Sequence, residues 1–149
     1  WRESRLLLSM VALATTLTEI PWNVDFLGAL ITGEHPFGHT AYMFDQTYHW
    51  FVRGLSLFHI FLPIVAWWSV WRLGYDRRAI IVQTVVAWVL MVAAFFLTDP
   101  AKNMNLVFGL FGPQEKLPAW LYLVLWMLIM PPVVYLPVHV LAIRLCRRR

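Results

Sequence analysis

The chain has few of the residues that soluble proteins place on their surfaces and that many enzymes use in catalysis. Only 13% of its residues are charged, whereas an ordinary soluble domain carries about 25%. Its one cysteine, Cys146, excludes an intramolecular disulfide and a metal site built from several thiolates. The sequence also lacks a phosphate-binding glycine loop, a GxSxG elbow and an HExxH zinc helix. These absences argue against an ordinary soluble enzyme.

What the chain has in abundance is apolar sequence. Hydrophobic residues make up 60% of it, against about 45 to 50% in soluble domains, and its mean hydropathy is +0.64. A hydrocarbon core of about 30 Å is crossed by roughly 20 helical residues. Four stretches reach that length, at about 6–31, 54–71, 79–98 and 118–143. The sequence therefore predicts an all-α integral membrane bundle of four transmembrane helices, forming one domain over residues 1–149.

Prolines and a short apolar segment modify this simple pattern. The fourth predicted span contains Pro131, Pro132 and Pro137, so we expect it to be kinked. Membrane helices tolerate proline when neighbouring groups satisfy the freed carbonyls. The apolar segment from Met104 to Gly112 is too short to span and is predicted to be interfacial or re-entrant.

Basic residues gather at one end of the predicted spans, nine of the twelve in total. The nine are Arg2, Arg5, Arg72, Arg77, Arg78, Arg144 and Arg147–Arg149, and the other three are Arg53, Lys102 and Lys116. This bias predicts that both chain ends are cytoplasmic and that the longer loops lie outside. Because the basic residues lie at helix ends, no nucleic acid partner is predicted. The chain starts with Trp1 instead of Met, so we expect further residues upstream.

Four ionisable residues in the outer half of the predicted bundle form a candidate buried polar site: Glu19, Asp25, Arg53 and His59. A charge deep in the membrane costs about 2.5 to 3.5 kcal/mol on insertion scales, so Glu19 needs a partner. Helical rise places Glu19 about 10 Å and His59 about 8 Å below the outer edge, where they can hydrogen bond. Arg53 can then pair with Asp25. The site is either a structural clasp or an outward-facing proton or ligand site.

The fifth histidine, His139, lies at the opposite depth. The same count places it about 8 Å from the inner edge. A bis-histidine haem needs two imidazoles at one depth, so His59 and His139 cannot supply it within one chain. A single axial ligand at His59 to a haem or pigment remains an alternative, and the sequence itself assigns no cofactor.

The outer loop contains a second candidate, a metal site made of His35, His39, Asp45 and His49. Imidazole and carboxylate suit Zn, Cu, Fe or Ni. Asp45 and His49 stand four residues apart, which brings side chains together on a helix. His35 and His39 have the same spacing, but the proline and glycine between them disfavour a helix. The alternative is that these loop histidines are merely solvated or hydrogen bonded.

Each predicted span also carries small and polar residues at steps of three and four, which marks a packing face. These stripes are Ser9, Ala12, Thr16, Glu19 and Asn23; Ser56, His59, Pro63 and Ala66; Thr84, Ala87, Met91, Ala94 and Thr98; and Pro132, Tyr135, His139 and Ala142.

Several segments together resemble an uncharacterised family of bacterial polytopic membrane proteins. They are TEIPWNVDFL, TAYMFD, RGLSLFH, RLGYDRRA, LTDPAKNMNLVFG and YLPVH. The resemblance covers most of the chain and implies placement in the bacterial inner membrane. It implies no activity, substrate or cofactor.

Two functions fit these features. The favoured hypothesis is an accessory or structural subunit of a larger membrane complex, without catalysis of its own, whose partners are membrane lipids and other membrane protein subunits. The alternative is an outward-facing membrane enzyme, or a binding protein for a quinone, pigment or metal.

Overall fold

The computed structural model describes residues 2–110 and 112–146 and is built from helices. The protein is 73% helical, and the described residues contain no strand. The α-helices are α1 (Arg2–Thr15), α2 (Ile20–Thr32), α3 (Ala41–Phe44), α4 (Trp50–Leu55), α5 (Phe58–Leu73), α6 (Ala79–Leu97), α7 (Ala119–Met130) and α8 (Leu136–Cys146). Short 3₁₀ turns lie at Pro100–Lys102 and Met104–Leu106. The terminal arginines Arg147–Arg149 of the charge count lie outside the described residues.

Within residues 2–110 and 112–146, three helical stretches are long and apolar enough to cross a membrane. They are Trp50–Leu73, which joins α4 and α5, Ala79–Leu97, which is α6, and Ala119–Cys146, which joins α7 and α8. Their lengths of 24, 19 and 28 residues match the roughly 20 residues that a bilayer requires. The predicted all-α architecture is therefore confirmed for the described residues, and three of the four predicted spans are apolar helices of spanning length.

The first predicted span, residues 6–31, is not one continuous helix. The structure divides it into α1 and α2, separated by a turn at residues 16–19. Pro21 has no N–H to bond to the carbonyl of Leu17, and threonine hydroxyls in this region bond back to carbonyls four residues earlier. Both features interrupt or bend helices. The prediction of a single helix here was wrong.

Helix α1 lies at the centre of the bundle. It contacts α5 and α6 and, less extensively, α8. Ala12 packs against Ala66 of α5, whereas the neighbouring Leu13 packs against Ala87 of α6 and Tyr135. Small residues at these positions let the helices approach closely, as membrane packing requires. The predicted stripes on α1, α5 and α6 are thus packing faces; Pro132 on the fourth is exposed.

The prolines of the last span interrupt its α-helical hydrogen bonding. Residues Pro131–Tyr135 form a π-helical turn between α7 and α8, closed by the N–H of Leu136 bonding to the carbonyl of Pro131. Such turns occur where a normal bond is missing, and the two prolines supply no N–H. Tyr135 within this turn is only 1% exposed. The overall kink of the span stays a prediction.

Helix α1 also anchors the turn between α5 and α6. The hydroxyl of Ser9 donates to the carbonyl of Arg5 at 2.8 Å and accepts from the N–H of Asp76 at 3.0 Å. The carboxylate of Asp76 is buried and pairs with the guanidinium of Arg78 at 3.0 Å. Hydrogen bonding from Arg78 holds the pKa of Asp76 below its ordinary value. This network fixes the turn against the bundle.

The loop after α6 folds back onto the helix ends. Val107 and Phe108 are buried against Met91 of α6 and Leu123 of α7. The side chain of Asn103 accepts from the N–H of Phe108 at 2.9 Å and donates to a loop carbonyl at 2.7 Å. The segment predicted to be interfacial or re-entrant is therefore a non-spanning loop that covers the ends of α6 and α7.

Candidate functional site

Glu19 and His59 meet where α2 and α5 begin. Glu19 is the last residue before α2, and His59 is the second residue of α5. Nδ1 of His59 and Oε2 of Glu19 are hydrogen bonded. Their side chains are 24% and 16% exposed, so the pair is mostly enclosed but reachable. The predicted hydrogen bond between these two side chains is present; their shared depth in a membrane stays a prediction.

The residues around this pair hold the imidazole in place. The ring of Trp22 stacks on that of His59, with centroids 4.6 Å apart and planes inclined by 22°. The ring of Phe58 also stacks on it, at 4.0 Å. The side-chain amide of Asn23 donates to the backbone carbonyls of Glu19 at 2.8 Å and His59 at 3.0 Å. Asn23 belonged to the predicted stripe, whereas Trp22 was missed although it follows Glu19 at helical spacing.

This arrangement resembles a carboxylate–histidine dyad. An ionised Glu19 places the proton on Nδ1 and makes Nε2 the open, basic nitrogen of His59. Among residues 2–110 and 112–146, Nε2 has no hydrogen-bond partner. An imidazole of this kind can bind a proton, accept a hydrogen bond from a ligand or ligate a metal.

Asp25 takes no part in the Glu19–His59 pair and forms a separate hydrogen-bond network. Its carboxylate is fully buried and accepts the N–H groups of Phe37, Gly38 and Thr40 at 2.6, 3.1 and 2.7 Å. It also accepts the hydroxyl of Thr40 at 2.7 Å. Nδ1 of His35 lies 3.8 Å from the same carboxylate. Asp25 thus anchors the loop that follows α2.

The predicted pairing of Arg53 with Asp25 was wrong. Arg53 reaches the backbone carbonyl of Met43 in α3, with Nη1 at 3.4 Å, and so links α4 to the outer loop. Its buried Nε has no hydrogen-bond partner among the described residues. Of the four residues in the predicted site, Glu19 and His59 form a bonded pair, whereas Asp25 and Arg53 each anchor the outer loop separately. Asp25 does not pair with Arg53 because the loop backbone already provides its hydrogen-bond donors.

The structure does not gather the predicted metal ligands. His35 bonds to the hydroxyl of Thr40 at 3.1 Å, and Nδ1 of His49 accepts from the backbone at the start of α4. Asp45 accepts the N–H of Thr47 at 2.8 Å, which holds the pKa of Asp45 below its ordinary value. His39 is exposed, with Phe37 as its ring neighbour. In the described part of the chain, no three His, Cys, Asp or Glu side chains are grouped to hold a metal.

His139 has its own partner at the opposite end of the bundle. Its Nδ1 is hydrogen bonded to the hydroxyl of Tyr75 at 2.8 Å, in the turn after α5. The rise from His59 to the end of α5 at Leu73 is about 21 Å. The two histidines therefore lie at opposite ends of the bundle and cannot bracket one haem within one chain. Burial raises the pKa of the Tyr75 hydroxyl above its ordinary value.

No family model matches this chain, and no curated protein or solved structure matches it at a significant level. Its function is therefore inferred from the placement of its own residues.

Proposed function

We propose that the protein is an accessory or structural subunit of a larger membrane complex and has no catalysis of its own. The observation that carries this proposal is the use of its interior polar groups. Glu19 and His59 join α2 to α5, Asp25 holds the loop after α2, and Tyr75 and His139 join the α5–α6 turn to α8. Each of these groups stabilises the bundle through contacts within the chain.

The outward face of α5 is compatible with the same proposal. Phe61, Ile64, Val65 and Trp68 follow each other at steps of three, one and three on α5, and each is more than half exposed. This spacing makes one continuous apolar face. Apolar residues of this kind pack equally well against lipid and against another transmembrane helix. We propose that the α5 face contacts a neighbouring subunit within the bilayer.

Topology and location belong to the same proposal. Helices α1 and α2 together cover residues 2–32 and provide a fourth crossing, with both chain ends in the cytoplasm of a bacterium. The bias of basic residues toward one end of the spans supports this orientation.

Extraction from native membranes tests the subunit proposal. In mild detergent the tagged chain is expected to migrate with a stoichiometric membrane protein partner, at a protein mass well above its own 17.5 kDa. Light scattering measures the mass and mass spectrometry identifies the partner. The same sample in a denaturing detergent gives the mobility of the isolated chain. Migration of a single chain in mild detergent would contradict the proposal.

A second candidate function is the binding of a cofactor or small molecule at His59. The observation that favours it is the open Nε2 on a 24% exposed ring whose Nδ1 is held by Glu19. Nε2 is then positioned to ligate a haem, pigment or metal, or to bond to a quinone. Trp22 and Phe58 stack on this ring and hold its orientation.

Replacement of His59 by asparagine tests this second candidate. The wild-type protein purified from native membranes is expected to carry a stoichiometric chromophore, metal or quinone, and His59→Asn is expected to lose it. His49→Asn is the control, because that exposed histidine caps α4 and has no contact with the Glu19–His59 pair. Absorption spectra, metal analysis and chromatography of extracted lipids provide the measurement. An empty wild-type protein, or equal loading of wild type and His59→Asn, would exclude this function.

A further inference from the structure

A small cavity opens at the end of the bundle where the basic residues gather. It has a volume of about 140 Å³ and is lined by Tyr75, Arg77, Ile143 and Cys146. Arg77 is exposed and forms no salt bridge within the described parts of the chain. The cavity thus combines an uncompensated cation, a phenol oxygen and an apolar wall.

The wall of the cavity is held by the fold itself. The hydroxyl of Tyr75 is fixed by its 2.8 Å hydrogen bond to His139, and the two rings meet edge to face at 5.5 Å. The thiol of Cys146 lies 3.9 Å from the carbonyl of Val70 in α5. These contacts come from three different segments, so the cavity is already formed before anything binds.

The position of the cavity matches the level of lipid headgroups. Tyr75 and Arg77 lie in the turn between the spans that end at Leu73 and begin at Ala79. Ile143 and Cys146 lie in the last turns of the third spanning stretch. Where such helices leave the hydrocarbon core, they meet the phosphate layer of the bilayer. Basic pockets between transmembrane helices at this level are suited to anionic headgroups.

The surrounding charges favour an anion. The carboxylate of Asp76, next to Arg77 in the sequence, is already paired with Arg78 at 3.0 Å. Arg144 is exposed on α8, and the sequence continues beyond Cys146 with three further arginines. No described acidic side chain therefore offsets the charge of Arg77 by a salt bridge.

We propose that this cavity binds the phosphate group of an anionic phospholipid. The guanidinium of Arg77 donates to the phosphate oxygens, and the acyl chains leave past Ile143 into the bilayer. Nδ1–H of His139 donates to the Tyr75 oxygen in this arrangement, which leaves the Tyr75 O–H to donate to the phosphate. A free phosphate ion would use the same cation but gain nothing from the apolar wall. The site does not depend on the proposed role as a subunit.

Native mass spectrometry of the full chain in detergent tests this site. Phosphatidylglycerol is expected to bind saturably at one site, and more tightly than phosphatidylcholine. Arg77→Gln is expected to weaken phosphatidylglycerol binding about fivefold, the value of one arginine near a lipid surface. The matched control is Arg72→Gln, which removes the same charge from a residue whose guanidinium lies 5.8 Å from the Trp68 ring. This control is expected to bind like wild type.

A second pair of variants tests the cavity itself. Ile143→Trp fills it and is expected to abolish the single site, whereas Leu145→Trp adds the same ring at a 52% exposed position of α8 and is expected to keep it. Thermal unfolding checks that both variants fold. If Ile143→Trp does not fold, the proposal is tested by Arg77→Gln, whose substituted side chain is exposed. Equal losses in Arg77→Gln and Arg72→Gln would overturn the proposal, as would full binding by folded Ile143→Trp. Displacement of the lipid by millimolar inorganic phosphate would overturn the assignment to a phospholipid.

Discussion

Replacement of Asp25 by alanine is expected to lower the free energy of unfolding by more than about 3 kcal/mol. The variant leaves the three N–H groups and the one hydroxyl that now bond to this carboxylate at 2.6 to 3.1 Å without their acceptor. Hydrogen bonds to a charged group contribute about 1.5 to 3 kcal/mol each, and part of that is recovered when the loop opens to water. Thermal unfolding in detergent, followed by tryptophan fluorescence, provides the measurement.

Hydrogen exchange can locate the part of the chain that Asp25→Ala destabilises. The amides of Phe37, Gly38 and Thr40 are expected to lose protection in Asp25→Ala, because their acceptor has gone. Asp45→Asn is the control, since Asp45 is an exposed carboxylate that bonds only within its own turn. It should change stability by less than about 0.5 kcal/mol. Unchanged exchange at the three amides in Asp25→Ala would contradict the role of Asp25 as the anchor of this loop.

Replacement of Gly109 by alanine is expected to be similarly damaging, by more than about 3 kcal/mol, for a steric reason. A Cβ at this position would overlap the carbonyl oxygen of Gly112 and lie 3.1 Å from the backbone nitrogen of Gln114. Both are backbone atoms, so no side-chain rotation relieves the overlap. The loop must move, and Val107 and Phe108 then leave their contacts with α6 and α7.

Gly54→Ala is the matched control for this substitution. Gly54 lies inside α4, and an added Cβ meets no atom within 4 Å. Alanine has the higher helix propensity, so this variant is expected to be as stable as wild type or more stable by about 0.5 to 1 kcal/mol. Thermal unfolding and limited proteolysis of both variants separate the two effects. Equal melting temperatures of Gly109→Ala and wild type would show that the tight loop contact is unimportant.

The pairing of Glu19 with His59 was within reach of the sequence because membrane depth is a one-dimensional quantity. The rise per residue of a helix and the thickness of the bilayer place each ionisable group in a layer. A buried carboxylate needs a partner, and His59 was available in the same layer. The same count placed His139 in the opposite layer, where its partner is Tyr75.

The contacts of the outer loop could not be predicted from helical rise and membrane depth. Its residues have no regular period, and its polar side chains are satisfied by nearby backbone groups. Asp25 is bonded to the N–H groups of the loop itself instead of to Arg53, and Asp45 is bonded within its own turn. The backbone donors lie two residues from Asp45 and 12 to 15 residues from Asp25, so they are nearer along the chain than the charged partners with which they compete. For this reason the predicted pairing of Arg53 with Asp25 does not form, and the loop histidines do not come together in one group.

By itself, the sequence determined that the described chain is all-α, where three helices of membrane-spanning length lie, which stripes on α1, α5 and α6 are packing faces, and that Glu19 and His59 can pair. These properties follow from hydropathy, helical period and rise, which depend on sequence position alone. Only the tertiary structure decided the break between α1 and α2, the central position of α1, the anchoring role of Asp25 and the cavity beside Arg77. These depend on competition among donors, acceptors and packing surfaces that come from segments far apart in the chain.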